Sequence, residues 1–153
     1  MRHRSRPFAP LALAALVAAG LPGPASSVEV TTRVSVAVTD LRNGQGLVQA
    51  CLTAFPQHFP DCRDDPQSHR LTVPARANLV LEFDRVSPGT YAVSLLHDEN
   101  SNGRADRMLM IPREGFGFSR DAPVRMGPPG FDQASFPVGT SPVQKTVRMR
   151  YML

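Results

Sequence analysis

The sequence predicts an all-β protein, folded as an antiparallel two-sheet sandwich of about seven short strands. Apolar and polar residues alternate with a period of two along several segments, which is the pattern of strands that bury one face. Clusters of glycine, proline and asparagine separate these segments. Beyond the N-terminus, no stretch keeps the periodicity of an amphipathic helix. Two sheets that share one apolar core satisfy this pattern, and a small barrel is the alternative.

The N-terminus, by contrast, indicates a cleaved export signal. Arginines within residues 1–6 precede an apolar run over residues 11–21, and small residues suit cleavage after Ala25 or Ser27. The apolar run is shorter than the roughly 20 residues that a membrane-spanning helix needs. We therefore expect residues 1–27 to be a signal peptide.

Cleavage would leave residues 28–153 as a single domain that is almost neutral. Three of the 17 basic residues and none of the 13 acidic residues lie in the signal, so the mature net charge is near +1, from 14 minus 13. A domain this close to neutral has no electrostatic footprint for nucleic acid. The sequence predicts no nucleic-acid partner, no membrane span in the mature chain, and a periplasmic or secreted location.

The first predicted strands flank a glycine-rich turn. Residues 28–39 and 47–55 each alternate, and residues 43–46 supply the turn between them, so we expect a hairpin. After a polar loop, residues 70–73 form a short strand bounded by Pro74. Proline cannot donate to a sheet ladder, which predicts an edge position.

A second hairpin is predicted around Ser87-Pro88-Gly89, which has the composition of a β-turn. Its strands cover residues 78–86 and 91–95, with apolar side chains on alternate positions. Residues 111–130 hold four prolines and keep no period, which indicates a long loop. Two final strands are expected over residues 131–136 and 143–151.

Cys51 and Cys62 are the two cysteines of the chain. An oxidising compartment favours a disulfide between them, worth about 3 kcal/mol because it closes a loop of about a dozen residues. The alternative is a pair of buried thiols. The spacing excludes a catalytic CxxC motif, and two sulfur atoms alone do not make a zinc site.

The segment HDENSNGRAD, residues 97–106, carries the strongest functional pattern. From Asp98 onward it follows the first nine positions of the EF-hand calcium loop, DxNxNGxxD. A cation of this size takes six to eight oxygen ligands, and a chain that wraps around it offers side chains from alternate residues. We expect one calcium ion, with ligands from Asp98, Asn100, Asn102, Asp106 and the backbone carbonyl of Arg104.

This protein is nevertheless not an EF-hand. The twelfth loop position is Leu109, where an EF-hand has a bidentate glutamate, and no flanking helices are predicted. An acid from elsewhere in the chain would have to complete the coordination shell. Glu114 is the nearest candidate and Glu99 is another.

A simpler alternative assigns no ion to this segment. Asn102-Gly103 is a dipeptide typical of a type I′ turn. Asp and Asn side chains can also accept hydrogen bonds from nearby backbone N–H groups in Asx-turns. The spacing alone does not choose between a metal loop and a turn.

No catalytic set is predicted. His97 stands beside an aspartate and could serve as a base, but no activated nucleophile accompanies it. His58 and His69 lie in polar sequence and are expected to be ordinary surface side chains. Phe116 and Phe118, each preceded by glycine, form either a platform that stacks on a ligand or a plug that packs onto the sandwich.

Three motifs in order resemble the bacterial family catalogued as domain of unknown function 2141. They are PGTYAV at 88–93, HDENSNGRAD at 97–106 and IPREGFGFS at 111–119. The likeness runs from about Val34 to the last strand. It implies an exported sandwich of the transthyretin-like or carboxypeptidase-regulatory-like kind, and it implies no particular activity. Arg120 stands where the family motif often continues with asparagine, so no ligand role is carried over to that position.

The sequence therefore predicts an exported, non-enzymatic β-sandwich, immunoglobulin- or transthyretin-like, that binds one calcium ion and a further protein or small-molecule partner. Two alternatives belong to other classes. One is a metal-assisted hydrolase, which an open metal position beside a deep pocket would mark. The other is a structural or carrier protein of the cell envelope, whose strand edges would pair with other chains.

Overall fold

A computed structural model describes residues 29–103, 105, 107–108 and 111–152. The predicted signal peptide, residues 1–27, lies outside these residues. Within them, no helix is long and apolar enough to cross a membrane. The strands are β1 (Thr32–Thr39), β2 (Leu47–Thr53), β3 (His69–Pro74), β4 (Val80–Val86), β5 (Gly89–Asp98), β6 (Arg107–Met108), β7 (Ile111–Pro112), β8 (Gly115–Phe118), β9 (Phe136–Val138) and β10 (Val143–Arg148). Short 3-10 helices cover Pro56–His58 and Ser119–Asp121, and α1 covers Phe131–Ala134.

The strands form the predicted two-sheet sandwich. The three-stranded sheet has the order β10-β1-β4. The five-stranded sheet has the order β3-β2-β5-β8, and β9 also pairs with β5. Strands β6 and β7 form a separate two-stranded ribbon. The connections between the two main sheets place their alternating apolar faces against each other, which is how the fold satisfies the period of two in the sequence.

The core lies between the two sheets. On β1, every second residue is buried, and Val34 and Val36 are fully so. The five-stranded sheet presents Leu52 of β2 and Val93 of β5 to the same core. A second, smaller apolar cluster covers the outer face of the five-stranded sheet, and it includes Ala92. Strand β5 is therefore buried on both faces, which fixes its last residues in place.

Both predicted hairpins are wrong, although the strands themselves are present. Strand β1 belongs to the three-stranded sheet and β2 to the five-stranded sheet, so the glycine turn crosses from one sheet to the other. The same holds for β4 and β5, which the Ser87–Gly89 turn connects across the core. Alternation in a sequence indicates which face of a strand is buried, but it does not identify the partner strand.

The sandwich is also not wholly antiparallel, because β10 pairs with β1 in parallel. A parallel pair needs a crossover connection, and here most of the domain supplies it. Beyond β10, the chain moves to the edge of the other sheet: the N–H group of Arg150 donates to the carbonyl of Phe116 at 2.8 Å, and the N–H group of Phe116 donates back at 3.0 Å. The C-terminal segment thereby joins the two sheets along one side.

The predicted loop over residues 111–130 is interrupted by β7, β8 and a 3-10 helix, and the predicted strand over residues 131–136 is mostly the short helix α1. Strand β8 has the sequence GFGF, in which glycine hides the alternation. A Cβ atom at Gly117 would lie 2.8 Å from the carbonyl oxygen of Arg148. Glycine is required because the C-terminal segment crosses there, and a glycine inside a strand often marks such an approach.

Two further predictions are confirmed on the other side of the sheet. Among the strands that the structure describes, β3 pairs with β2 alone, so it is an edge strand, and it ends at Pro74. Cys51 and Cys62 form a disulfide with a Cα–Cα distance of 5.9 Å. Both cysteines are buried, and the bond fastens the loop after β2 onto the outer face of the five-stranded sheet.

Candidate metal site at the end of strand β5

Asp98 is the last residue of β5, and its exposure is 0%. It follows the alternation of the strand: Val93 and Leu95 face the core between the sheets, whereas Ala92 and Asp98 share the outer face. Residues that start a loop at the end of a rigid strand are well suited to hold a ligand, because the strand fixes their position. A buried carboxylate at this point needs partners that compensate its desolvation.

The carboxylate of Asp98 accepts three hydrogen bonds from the described residues. The N–H group of Gly103 donates to Oδ2 at 2.7 Å, and the N–H group of Asn102 donates to Oδ1 at 3.1 Å. The side-chain amide of Gln49, on β2, donates to Oδ2 at 2.9 Å. A carboxylate has about four lone-pair positions, two on each oxygen. These bonds occupy both positions on Oδ2 and leave one on Oδ1 for a further partner.

The loop after Asp98 curls around this carboxylate. Ser101 and Gly103 have positive φ angles of 57° and 75°, which turn the chain back on itself. The side-chain oxygen of Asn100 accepts a hydrogen bond from the N–H group of Asn102 at 3.0 Å, which is an Asx-turn. Both the metal loop and the turn alternative call for such a curl, so these bonds are compatible with either.

Two of the predicted ligands, Arg104 and Asp106, lie outside the described residues, and so does Leu109. The predicted ligands that lie among the described residues are Asp98, Asn100, Asn102 and Glu114. Within the described part of the chain, no group of three or more His, Cys, Asp or Glu side chains is arranged to hold a metal ion. Asparagine, whose side-chain oxygen can also bind calcium, is not one of these four residue types.

Glu114 is buried, with an exposure of 4%, and it directly precedes β8, which pairs with β5. Strands β5 and β8 are antiparallel, with His97 opposite Gly115. Continued by one residue beyond the paired strands, this register would bring Glu114 opposite Asp98. A Cβ atom at Gly115 would lie 2.3 Å from the ring of Tyr151, on the core side, and alternation continued to Glu114 would direct its side chain to the outer face that Asp98 shares. Two buried carboxylates thus belong to residues at neighbouring strand ends.

Glu99, the other candidate acid, is engaged elsewhere. Its carboxylate forms an ion pair with Arg42, in which Nε of Arg42 lies 2.9 Å from Oε1. Asn43 donates a second hydrogen bond to the same oxygen. The hydrogen bond from Arg42 is the main cause that lowers the pKa of Glu99 to about 2, against the opposing effect of burial. Glu99 is therefore the charged partner of Arg42, and Arg42 lies in the loop between β1 and β2.

His97 is fully buried, and both of its ring nitrogens are hydrogen-bonded. Nε2 lies 2.8 Å from the carbonyl oxygen of Gln45, which can only accept, so Nε2 carries the proton. Nδ1 then accepts from the hydroxyl group of Tyr151 at 2.7 Å. Burial raises the pKa of Tyr151, which keeps this donor protonated. His97 links three segments inside the fold and has no access to a substrate in this conformation.

The aromatic pair of the β8 segment lies on the outer face of the five-stranded sheet. Phe118 is buried, and its ring meets Phe59 edge to face with centroids 5.9 Å apart. Phe59 in turn meets Phe131 at 6.1 Å. Phe116 is half-buried, with its ring 6.1 Å from that of Phe118. The two rings belong to the smaller apolar cluster that covers this face.

Two clefts in the described part of the chain are lined by other residues. One is formed by residues 38–41 and 76–78, and the second by residues 73–74, 76 and 79–80. None of these residues is a predicted metal ligand. Neither cleft therefore supplies the deep pocket beside a metal that would mark a hydrolase.

Sequence reasoning missed two residues that shape this site, Gln49 and Arg42. Gln49 stands on an alternating strand and reaches Asp98 because β2 and β5 are neighbours, which the predicted hairpin did not anticipate. Arg42 is an isolated cation in a turn, and no local pattern links it to Glu99. The one usable signal in the sequence was the glycine at position 46. In the structure its φ is +69°, and a Cβ atom there would lie 2.1 Å from the backbone carbonyl oxygen of Asp98, so glycine is required where the two turns meet.

No curated protein and no solved structure matches the chain. A family profile described as an uncharacterized protein conserved in bacteria matches residues 36–146. The match contains the second half of β1, the whole candidate loop and most of β10. Because it spans well over half of the chain, this protein belongs to the bacterial family of domain of unknown function 2141.

Proposed function

We propose that this protein is an exported, non-enzymatic β-sandwich domain that binds one calcium ion at the end of β5. The loop from Asp98 to Asp106 supplies most of the ligands, and Glu114 completes the coordination shell. The observation that supports the proposal is the burial of two carboxylates, Asp98 and Glu114, at the ends of two strands that pair with each other. Export rests on the signal-like residues 1–27.

The charge of these two carboxylates is the physical argument for a cation. Like charges directly opposite each other on neighbouring strands destabilise a sheet. At about 5 Å and an effective dielectric constant of about 20, their repulsion costs roughly 3 kcal/mol. A divalent cation between them converts this repulsion into attraction.

The available donors fit calcium better than a transition metal. Asp98 keeps one lone pair on Oδ1. The side chain of Asn100 contributes an amide oxygen to the loop. Glu114 adds one or two oxygens, and the spacing of the loop adds the carbonyl of Arg104 and the carboxylate of Asp106. This set contains oxygen alone and no thiolate or imidazole, which is the preference of calcium.

A binding role is favoured over a hydrolytic one by the state of His97. Both ring nitrogens are held inside the fold, by Gln45 and Tyr151. A general base must reach the proton that it abstracts, and this ring does not reach the outer face where the carboxylates lie. The partner of the ordered loop is then a protein or a small molecule that the domain binds without transforming it.

The expected affinity limits what the ion contributes. Extracellular calcium modules bind with dissociation constants of about 10⁻⁴–10⁻³ M. At millimolar calcium, such a site adds about 0.4–1.4 kcal/mol to the free energy of unfolding. The ion would therefore order the loop after β5 and would not hold the sandwich together.

Calorimetric titration of the processed, exported protein with calcium chloride tests the proposal. We expect one site, with binding lost in Asp98→Ala and Glu114→Gln and weakened in Asp106→Ala. Asp132→Asn is the matched control, since Asp132 is an acid on α1, away from the loop. The proposal is contradicted if the wild type gives no heat of binding up to about 10 mM calcium, or if the Asp98 and Glu114 variants bind calcium as tightly as the wild type does.

A further inference from the structure

Arg42 lies in the turn between β1 and β2, and its guanidinium contacts both arms of the candidate metal loop. Nε donates to Glu99 at 2.9 Å, and a terminal nitrogen donates to the same carboxylate. The terminal nitrogen also donates to the backbone carbonyl of Arg113 at 3.1 Å. Glu99 follows Asp98 directly, and Arg113 directly precedes Glu114. One side chain therefore joins the neighbours of both buried carboxylates.

Arg42 is itself held by the C-terminal segment. Its guanidinium carbon lies 4.4 Å above the ring centroid of Tyr151, in a cation–π contact. Its backbone N–H group donates to the hydroxyl oxygen of Tyr151 at 3.2 Å. Tyr151 is fixed in turn by its hydrogen bond to the buried His97. The guanidinium is thus oriented before any ligand arrives, which lowers the cost of positioning the groups that it binds.

The charge of Arg42 cannot favour a cation nearby. A guanidinium is always positive and cannot be a metal ligand. Its ion pair with Glu99 cancels most of that charge, and the pair is partly shielded from water, with the Glu99 side chain 18% exposed. Any benefit of Arg42 to metal binding must come from geometry, because its electrostatic effect is neutral or adverse.

We propose that Arg42 is a positioning residue for the calcium site: it holds the Asp98 arm and the Glu114 arm at the separation that the ion requires. This inference rests on the proposed function. Outer contacts of metal ligands commonly change metal affinity by 10–100-fold when they are removed. A fork that binds a carboxylate and a carbonyl at once needs arginine, since lysine offers a single ammonium group.

The direction in which the calcium affinity changes distinguishes a positioning role of Arg42 from a purely electrostatic one. Arg42→Met keeps much of the packing on Tyr151 and removes the hydrogen bonds. If Arg42 positions the arms, we expect the calcium dissociation constant of Arg42→Met to rise roughly 10-fold. If Arg42 acts only as a nearby positive charge, the same variant binds calcium more tightly. Arg42→Lys keeps the charge and one donor, and we expect an intermediate loss.

Arg33→Met is the matched control. Arg33 also pairs with two carboxylates, those of Glu82 and Asp84, but on the three-stranded sheet away from the loop. Both methionine variants lose an ion pair, and we expect the calcium affinity to change in the Arg42 variant alone. Thermal unfolding without calcium is measured for each, because a purely structural role lowers the melting temperature and leaves the dissociation constant unchanged.

The outcomes distinguish the two proposals. Calcium binding by the wild type together with equal or tighter binding by Arg42→Met overturns the positioning role and leaves the calcium site standing. No binding by the wild type overturns the calcium site, and the positioning role falls with it. If Arg42→Met does not fold, the comparison of Arg42→Lys with the wild type decides, and an unchanged dissociation constant in that variant overturns the positioning role.

Discussion

Two regions of the outer face of the five-stranded sheet each bury an aspartate carboxylate, and the groups that surround the two carboxylates differ. Asp65, in the loop that the disulfide fastens, has an exposure of 2% and accepts from the hydroxyl group of Thr53 at 2.6 Å and the N–H group of Gln67 at 2.9 Å. Asp98 also accepts from neutral donors, but a second buried carboxylate, that of Glu114, belongs to the residue before the neighbouring strand β8. A single buried charge can be compensated by protein dipoles, whereas a second carboxylate nearby adds repulsion between like charges.

The pKa of Asp65 shows how complete this compensation is. Burial alone would raise the pKa of the carboxyl group. The hydrogen bonds from Thr53, Gln67 and Ser68, together with the charge of His58, outweigh burial and lower it below the usual value. The charge of Asp65 is therefore stabilised by donors of the protein itself, and the Asp65 region provides an internal reference for the candidate metal site.

The largest expected effect is the loss of the disulfide that closes the Asp65 region. Replacing Cys51 and Cys62 by serine should lower the free energy of unfolding by about 3 kcal/mol, because the unfolded chain regains the entropy of the open loop. Urea unfolding measures the change. Calcium affinity at the Asp98 site should stay within about twofold, since the disulfide constrains the other end of the sheet. A large loss of calcium binding in this variant would mean that the two regions are coupled.

A smaller effect is expected from Thr53→Val, which removes a hydrogen-bond donor and keeps the shape of the side chain. The variant leaves Asp65 short of one partner, and a buried acceptor that loses its donor costs about 1–3 kcal/mol. We expect the loss to appear in urea unfolding with or without calcium. Thr146→Val, on the exposed face of β10, is the control and should change stability by less than about 0.5 kcal/mol.

The next prediction sets the two carboxylate regions against each other. In the absence of calcium, Glu114→Gln should cost less stability than Asp65→Asn, because it also removes repulsion with Asp98. Millimolar calcium should stabilise the wild type and Asp65→Asn by about 0.4–1.4 kcal/mol and leave Glu114→Gln unchanged. Thermal unfolding with calcium and with a chelator measures both. If calcium raised the free energy of unfolding equally in the two variants, Glu114 would not be a calcium ligand.

The sequence predicted much of what depends on local periodicity. The alternating residues of β1, β2 and β5 indicated the buried faces, and the expected oxidising compartment indicated the disulfide between Cys51 and Cys62. Strand partners were mispredicted, because a turn between two amphipathic strands can either form a hairpin or cross between sheets with the same apolar face inward. Strand β8 was missed because its glycines at 115 and 117 face the C-terminal segment, where a side chain would clash.

In the candidate site, too, the features that depend on local sequence were predictable and those that depend on strand pairing were not. The spacing of oxygen-bearing residues after Asp98 is local, so it was visible in the sequence. The roles of Gln49, Arg42 and Tyr151 depend on which strands and turns are neighbours, and the order of the five-stranded sheet determines this. The approach of Glu114 to Asp98 also follows from strand pairing, although its closeness along the chain made it a candidate beforehand.

The smallest expected effect concerns the pH dependence of stability in the Asp65 region. A carboxyl group whose pKa is lower in the folded state stabilises the protein at pH values above its unfolded pKa, near 3.8, and loses that contribution as the pH falls through the folded pKa. Asp65→Asn removes this titration. Its free energy of unfolding should therefore fall less steeply than that of the wild type as the pH decreases from 5 toward 2, although it is less stable at neutral pH.

Urea unfolding of both proteins at a series of pH values, with a chelator present, tests this difference in slope. The chelator matters because metal binding is itself pH-dependent and would otherwise add its own slope. Asp61→Asn, in the same loop but exposed, is the control and should keep the slope of the wild type. Parallel curves for Asp65→Asn and the wild type would show that the buried hydrogen bonds do not favour the ionised carboxylate, and Asp65 would then lose its value as the reference for the Asp98 site.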